Sequence, residues 1–177
     1  MNETPDVVLI ALDAEIVRCR LAADDFWLER PIAGTARSLH FGPEFPGEAL
    51  AMYPTFLTQT VERSVVDGSY VVVDVGSGEV LGQVGTIGSP RNATVEIGYG
   101  MNAAVHGRGI ATIAVSAIVT FLASSDSVET VTARTSVTNP ASARVLEKNG
   151  FVVTGREQSD EGDLLVWTLD PLTATTE

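Results

Sequence analysis

Val105-His106-Gly107-Arg108-Gly109-Ile110-Ala111-Thr112 lies between an apolar strand pattern and a long apolar helix pattern. Two glycines flanking an arginine at a strand-to-helix turn leave backbone N–H groups uncovered at the positive end of a helix dipole. Such a turn binds anions, phosphate above all. Just upstream, Thr94 to Met101 alternates: Val95, Ile97 and Tyr99 point one way, and Glu96, Gly98 and Gly100 the other. One face is apolar. The other offers a carboxylate beside two positions without side chains, where a ligand can approach the backbone closely. Downstream, Asn139-Pro140-Ala141-Ser142 opens a short helix that Gly150 ends, with Asn139 at the N-cap and Pro140 at the first helical position. The lone cysteine, Cys19, excludes an internal disulfide and a cysteine-rich metal site. His40 and His106 lie far apart in the chain, so no metal is expected.

These groups need elements to hold them. Val7 to Ile10 reads as an edge strand, and Asp13 as the N-cap of a helix running to about Glu29, with Ile16, Val17, Leu21 and Leu28 near helical spacing. Pro31 to Pro46, rich in glycine and proline and carrying Phe41 and Phe45, reads as an ordered surface loop, followed by a helix over Glu48 to Glu62. Strands are expected at Tyr70–Val75 and Val80–Ile87, joined by the hairpin turn Gly76-Ser77-Gly78-Glu79. Beyond the strand at Thr94–Met101, the helix Gly109–Ala123 carries its apolar stripe on Ile110, Ile113, Ala114, Ala117, Ile118 and Phe121, widened by Val115, Val119 and Leu122. A strand at Glu129–Thr135 precedes the Asn139 helix, and Phe151–Thr154 with Leu164–Leu169 close the pattern as a hairpin.

The 177 residues suit one domain with a large core, and 45% hydrophobic residues is a globular value. No apolar run approaches the ~20 residues that cross a bilayer. The acidic start Met-Asn-Glu-Thr-Pro-Asp is unlike a signal peptide, so no membrane partner and a cytoplasmic location are expected. A net charge of −12 argues against nucleic acid. Between His106 and Lys148, however, four basic residues (Arg108, Arg134, Arg144, Lys148) meet three acidic ones (Asp126, Glu129, Glu147), so that segment is about neutral. The simplest inference is a local site for an anionic cofactor in a chain that otherwise attracts cations.

Val95 to Phe151 resembles the Gcn5-related N-acetyltransferase (GNAT) superfamily, within it the branch of ribosomal-protein N-terminal acetyltransferases and many small-molecule acetyltransferases. The resemblance is carried by Glu96-Ile97-Gly98-Tyr99, by His106 to Thr112, by Asn139-Pro140-Ala141-Ser142, and by Val145-Leu146-Glu147-Lys148-Asn149-Gly150-Phe151. It implies a single-domain α/β (α+β) fold whose mixed, mostly antiparallel sheet has about six or seven strands flanked by helices. Residues 1–70 would form the acceptor side and 71–177 the sheet with its acetyl-CoA core.

In this superfamily the signature is Gln/Arg-x-x-Gly-x-Gly/Ala. His106 takes the first place here, with Gly109 and Ala111 at the later ones. The resemblance implies that backbone N–H groups of His106, Gly107, Arg108, Gly109, Ile110 and Ala111 hold the acetyl-CoA pyrophosphate, and that a side chain at Gly107 or Gly109 would crowd it. An N–H near Gly100 or Met101 would stabilise the oxyanion. Glu96 would deprotonate the amine, directly or through a water. Ser142 would lie near the cofactor sulfur; a tyrosine that some relatives use further along this helix is Leu146 here. Asn139 would hydrogen-bond the pantetheine arm or simply cap its helix. Tyr99 is expected in the core, His40 on the surface, and Lys148, the sole lysine, on an exposed helix face.

The implied activity is acetyl transfer from acetyl-CoA, as co-substrate, to a primary amine in a ternary complex. The alternative is a non-catalytic acyl-CoA-binding or regulatory module on the same fold. A nucleotide-binding protein is disfavoured, because no Gly-Lys-Ser/Thr follows the glycines. The acceptor would be a small-molecule or peptide amine. Asp24, Asp25, Glu29, Glu44 and Glu48 occur among Phe26, Trp27, Phe41 and Phe45, which points to a cationic one. The resemblance also admits a homodimer.

Overall fold

A computed structural model describes residues 6–59, 65–160 and 162–169. The chain divides into two compact units, Met1–Val84 with Tyr99–Ile110, and Gly85–Gly98 with Ala111–Glu177. Nine strands and four α-helices are formed by the described residues: β1 (Val7–Asp13), α1 (Ala14–Ala22), β2 (Phe26–Ile32), β3 (Thr35–Phe41), α2 (Tyr53–Gln59), β4 (Val65–Asp74), β5 (Val80–Arg91), β6 (Thr94–Met101), α3 (Ile110–Ala123), β7 (Thr130–Ser136), α4 (Pro140–Lys148), β8 (Val152–Ser159) and β9 (Gly162–Leu169). Seven strands form one sheet in the order β1-β4-β5-β6-β7-β9-β8, and β2 pairs with β3 in a separate ribbon. The β1–β4, β7–β9 and β8–β9 pairings are antiparallel, whereas β6 and β7 run parallel. The expected mixed, mainly antiparallel sheet with flanking helices is the fold observed.

In the first unit, Asp13 caps α1 as expected, its Oδ1 accepting from the Ile16 N–H at 2.8 Å. The helix nevertheless stops at Ala22, not near Glu29. Phe26, Leu28 and Ile32 turn inward while Trp27, Glu29 and Pro31 face out, an alternation of period two. The spacing of Leu21 and Leu28 fits a helix, but their neighbours do not. The Pro31–Pro46 segment is likewise not a surface loop. Ala33 (φ 48°) and Gly34 (φ 80°) make a two-residue turn with both φ values positive, and β3 returns along β2 from Thr35 to Phe41. Leu39, Phe41 and Phe45 are wholly buried with Leu12, Ile16 and Tyr53 in this unit's core. The helix expected over Glu48–Glu62 begins as a 3-10 turn at Gly47–Met52 and continues as α2 to Gln59; the expectation beyond that point falls outside the described residues.

In the second unit, the helical stripe needs one correction. Ala114, Val115, Ile118, Val119 and Leu122 are buried, while Ala117 is exposed and Phe121 is 57% exposed. The buried face therefore joins Ile110, Ala114 and Ile118 of the expected stripe to Val115, Val119 and Leu122, and leaves Ala117 and Phe121 outside it. Helix α4 forms as the sequence predicts. Asn139 Oδ1 accepts from the Ser142 N–H at 3.0 Å. At the other end Gly150 adopts φ 82°, and the Phe151 N–H reaches back to the Leu146 carbonyl at 3.1 Å. Asn149 then donates to the carbonyls of Val145 (2.9 Å) and Thr112 (3.3 Å), tying α4 to the first turn of α3.

Candidate active site

Strand β6 carries the first group. Its ladder with β7 runs from Thr94↔Thr130 to Ile97↔Ala133, and β6 itself goes on to Met101. Glu96 projects from the paired part, opposite the buried Val95 and Ile97, as the alternation predicts. It is held in an ion pair: Arg134 Nη1 on β7 donates to Glu96 Oε2. The same guanidinium grips Glu157 on β8 through Nε (2.7 Å) and Nη2 (3.3 Å). The fork holds the Glu157 carboxyl below the usual carboxylate range, and the hydrogen bonds to Glu157 and Glu96 hold the Arg134 guanidinium above its own. Of the two glycines sharing the Glu96 face, only Gly100 is open. At Gly98 a Cβ would stand 3.2 Å from Ile87 Cδ1 of β5.

The end of β6 and the turn after it form the second group. A Cβ on Gly82 would collide with the Gly100 carbonyl and lie 2.8 Å from Met101 Cα, so β5 needs glycine where β6 ends. Asn102 fixes that end from both sides, its backbone N–H donating to the Leu81 carbonyl (2.8 Å) and its Nδ2 to the Val80 carbonyl (2.9 Å). His106 Nε2 lies 3.0 Å from the Met101 carbonyl. A carbonyl only accepts, so this nitrogen carries the proton and the ring ties the turn to the strand it leaves. Glu44, expected on the acceptor side, accepts from the Ala104 N–H at 3.3 Å.

Within the turn, Gly107 (φ 77°) and Gly109 (φ 79°) take the left-handed conformation, and a Cβ at either would meet nothing within 4 Å. Backbone sign explains the glycines, and the space over them is open, as a ligand cradle requires. The N–H groups of His106 and Arg108 are already spent, donating to the carbonyls of Ala103 (3.1 Å) and Val105 (3.3 Å). The expected cradle of N–H groups therefore narrows to Gly107, Gly109 and the first turn of α3, at Ile110 and Ala111, whose N–H groups have no intrahelical acceptor.

Asn139 and Ser142 form the third group, joined by the cap of α4. The Asn139 side-chain oxygen thus serves the helix, as an N-cap does.

In the segment expected to face the acceptor the aromatic residues divide. Phe41 and Phe45 are 0% exposed, so their faces meet only the core, whereas Trp27 is 57% exposed. Trp27 stacks on His40 with ring centroids 4.5 Å apart. His40, expected on the surface, is half-buried between two carboxylates, Nδ1 lying 2.9 Å from Glu79 and Nε2 3.1 Å from Asp25. Tyr53 is buried and donates to Gln83 Oε1 at 2.8 Å; burial pushes its phenol well above the usual range. Sequence patterning could not show Arg134, Glu157 or Asn102 as partners, since each acts through strand register.

Residues 22–152 match the Acetyltransferase (GNAT) domain family. Among curated proteins, the uncharacterized N-acetyltransferase YjdG of Bacillus subtilis (strain 168) is 30% identical over 86 residues, 48% of this chain and 51% of that protein. The match thus spans about half of that relative's length. Among solved structures, a chimera of the Vibrio cholerae spermidine N-acetyltransferase SpeG with hSSAT aligns with a TM-score of 0.69 at 14% identity, covering 97% of this chain and 99% of that one. A GNAT-family acetyltransferase from Bacillus anthracis aligns at 0.66 and 14%, covering 96% and 98%. The microcin self-immunity acetyltransferase MccE, solved with acetyl-CoA and AMP, aligns at 0.57 and 18%, covering 70% of each chain. At these identities the structures show a shared fold.

Proposed function

The chain belongs to the GNAT acetyltransferase domain family, and from that premise we propose that it transfers an acetyl group from acetyl-CoA to a primary amine within a ternary complex. The open turn carries this reading: two left-handed glycines with free space above them lead directly into the N-terminus of α3. The pyrophosphate would lie on the N–H groups of Gly107, Gly109, Ile110 and Ala111, with the exposed Arg108 and the anchored His106 beside them. Met101, held at the strand end, supplies the backbone next to the thioester.

The reaction needs a neutral amine, because an ammonium has no lone pair. Glu96, directly or through a water, takes the proton; the amine nitrogen bonds to the thioester carbonyl carbon. The nitrogen gives up its second proton as the C–S bond breaks, and the thiolate takes one from Ser142, which recovers the proton shed by nitrogen, or from solvent. The products are the N-acetyl amine and free CoA thiol. Asn139 keeps Ser142 in place by capping α4.

We assign the acceptor to cationic amines. A net charge of −12 attracts them, and several aligned structures are named as spermidine N-acetyltransferases. The resemblance of the Val95–Phe151 segment to enzymes that acetylate ribosomal-protein termini makes peptide α-amines the second acceptor class to assay. Calorimetric titration with acetyl-CoA tests the donor half. Micromolar binding is expected, weakened tenfold or more (about 1.4 kcal/mol) by Gly109→Val, whose side chain is both strained and set into the cradle. Absence of heat with the unaltered protein overturns the proposal.

A further inference from the structure

Glu96 does not stand alone on its strand. On its face Thr132 of β7 lies opposite it, Arg134 of β7 pairs with it, Glu157 of β8 holds that arginine, and the apolar Ile87 of β5 reaches over Gly98. The Arg134 guanidinium offers five donors in a rigid fork. Two are committed to Glu157, Nε at 2.7 Å and Nη2 at 3.3 Å, and Nη1 is turned toward Glu96. The grip on Glu157 crosses β9, which lies between β7 and β8. An arginine side chain has several rotatable bonds, and a single contact to Glu96 would leave it free to wander. Anchored at its far side, it presents one N–H in a fixed place.

We propose that Arg134, gripped by Glu157, is a positioning residue that fixes the Glu96 carboxylate in one rotamer. This rests on the reading of Glu96 as proton acceptor given above. Arg134 acts through Glu96: it aims one oxygen, Oε2, at β7 and so defines where the other lies.

Steady-state kinetics with acetyl-CoA and spermidine, beside acetyl-CoA calorimetry, test this on the full chain for the wild type, Arg134→Met, Arg134→Lys, Glu157→Gln, Glu96→Gln and the Arg134→Met/Glu96→Gln double variant. Arg134→Met is expected to lower kcat about tenfold while acetyl-CoA affinity stays within twofold. Arg134→Lys is expected to recover part of kcat but not all of it, since an ammonium lacks the fork. Glu157→Gln is expected to lower kcat with the same cofactor affinity, because the anchor is lost. Once Glu96 is glutamine, Arg134→Met is expected to cost nothing further, since it acts through Glu96. Full kcat in a folded Arg134→Met protein, or an undiminished loss in the double variant, overturns the proposal. Full activity in Glu96→Gln instead removes Glu96 as the proton acceptor, the reading on which this one rests.

Discussion

Gly107 and Gly109 show how a residue can be required for one reason and useful for another. Their positive φ values are needed to make the turn, and the absent side chains leave room over it. The motif was legible in the sequence because glycine pairs before an apolar helix are a local signal. The division of labour among the N–H groups was not, since those of His106 and Arg108 are spent by i→i−3 bonds that only the folded turn reveals. Glu96 was legible as a carboxylate on an alternating strand. Its partner was hidden, because Arg134 reaches it through the β6–β7 register and is itself held from β8. Glu96→Gln is predicted to lower kcat by about a hundredfold with unchanged acetyl-CoA affinity, read by steady-state kinetics beside calorimetry.

At the scale of elements, the best local signals gave the most accurate boundaries. Strand β6 matches its expected limits, and α4 has the cap, the proline and the closing glycine that the sequence displays. Asn139→Ala should cost about 1 kcal/mol of stability, seen as a lower melting temperature, because Oδ1 is the acceptor for the Ser142 N–H. The β2–β3 ribbon was missed for a physical reason. Ala33-Gly34 lacks the Asn-Gly or Asp-Gly that marks such turns, and the burial of Phe41 and Phe45 depends on contacts distant in sequence.

That ribbon is clipped to the β4–β5 turn. The His40 N–H donates to the Gly78 carbonyl at 2.9 Å, and the ring lies between Glu79 and Asp25. Burial of the ring opposes its charge, but hydrogen bonds to Asp25 and Glu79 outweigh that, so its pKa is raised above 6.5. The folded state holds this proton more tightly than the unfolded chain does. The stabilisation is therefore complete below about pH 6.5 and is lost as pH rises through the folded value. Melting temperatures of the wild type should fall across that rise, and those of His40→Asn should fall less. Equal slopes for the two proteins would contradict the clip.

Across the whole molecule, the net charge of −12 is carried by residues outside His106–Lys148, a segment that is itself about neutral. If charge draws the acceptor, added salt should raise KM for a polyamine several-fold and leave KM for a neutral-bodied monoamine nearly unchanged, because screening acts in proportion to the substrate's charge. The proposed cofactor turn was legible in the chain because a glycine turn before an apolar helix is a local signature. The acceptor was much less so, since its recognition depends on side chains from separate elements. Two of the aromatic residues expected to face it, Phe41 and Phe45, are core. Product analysis by mass spectrometry tests the central claim most directly, with the full chain, acetyl-CoA and a panel of polyamines, monoamines and peptides. One acetyl group added at an amine nitrogen is expected, with an equal yield of free CoA thiol, and spermidine-like cations among the acetylated members. Binding of acetyl-CoA with no acetylated product on any member would contradict it.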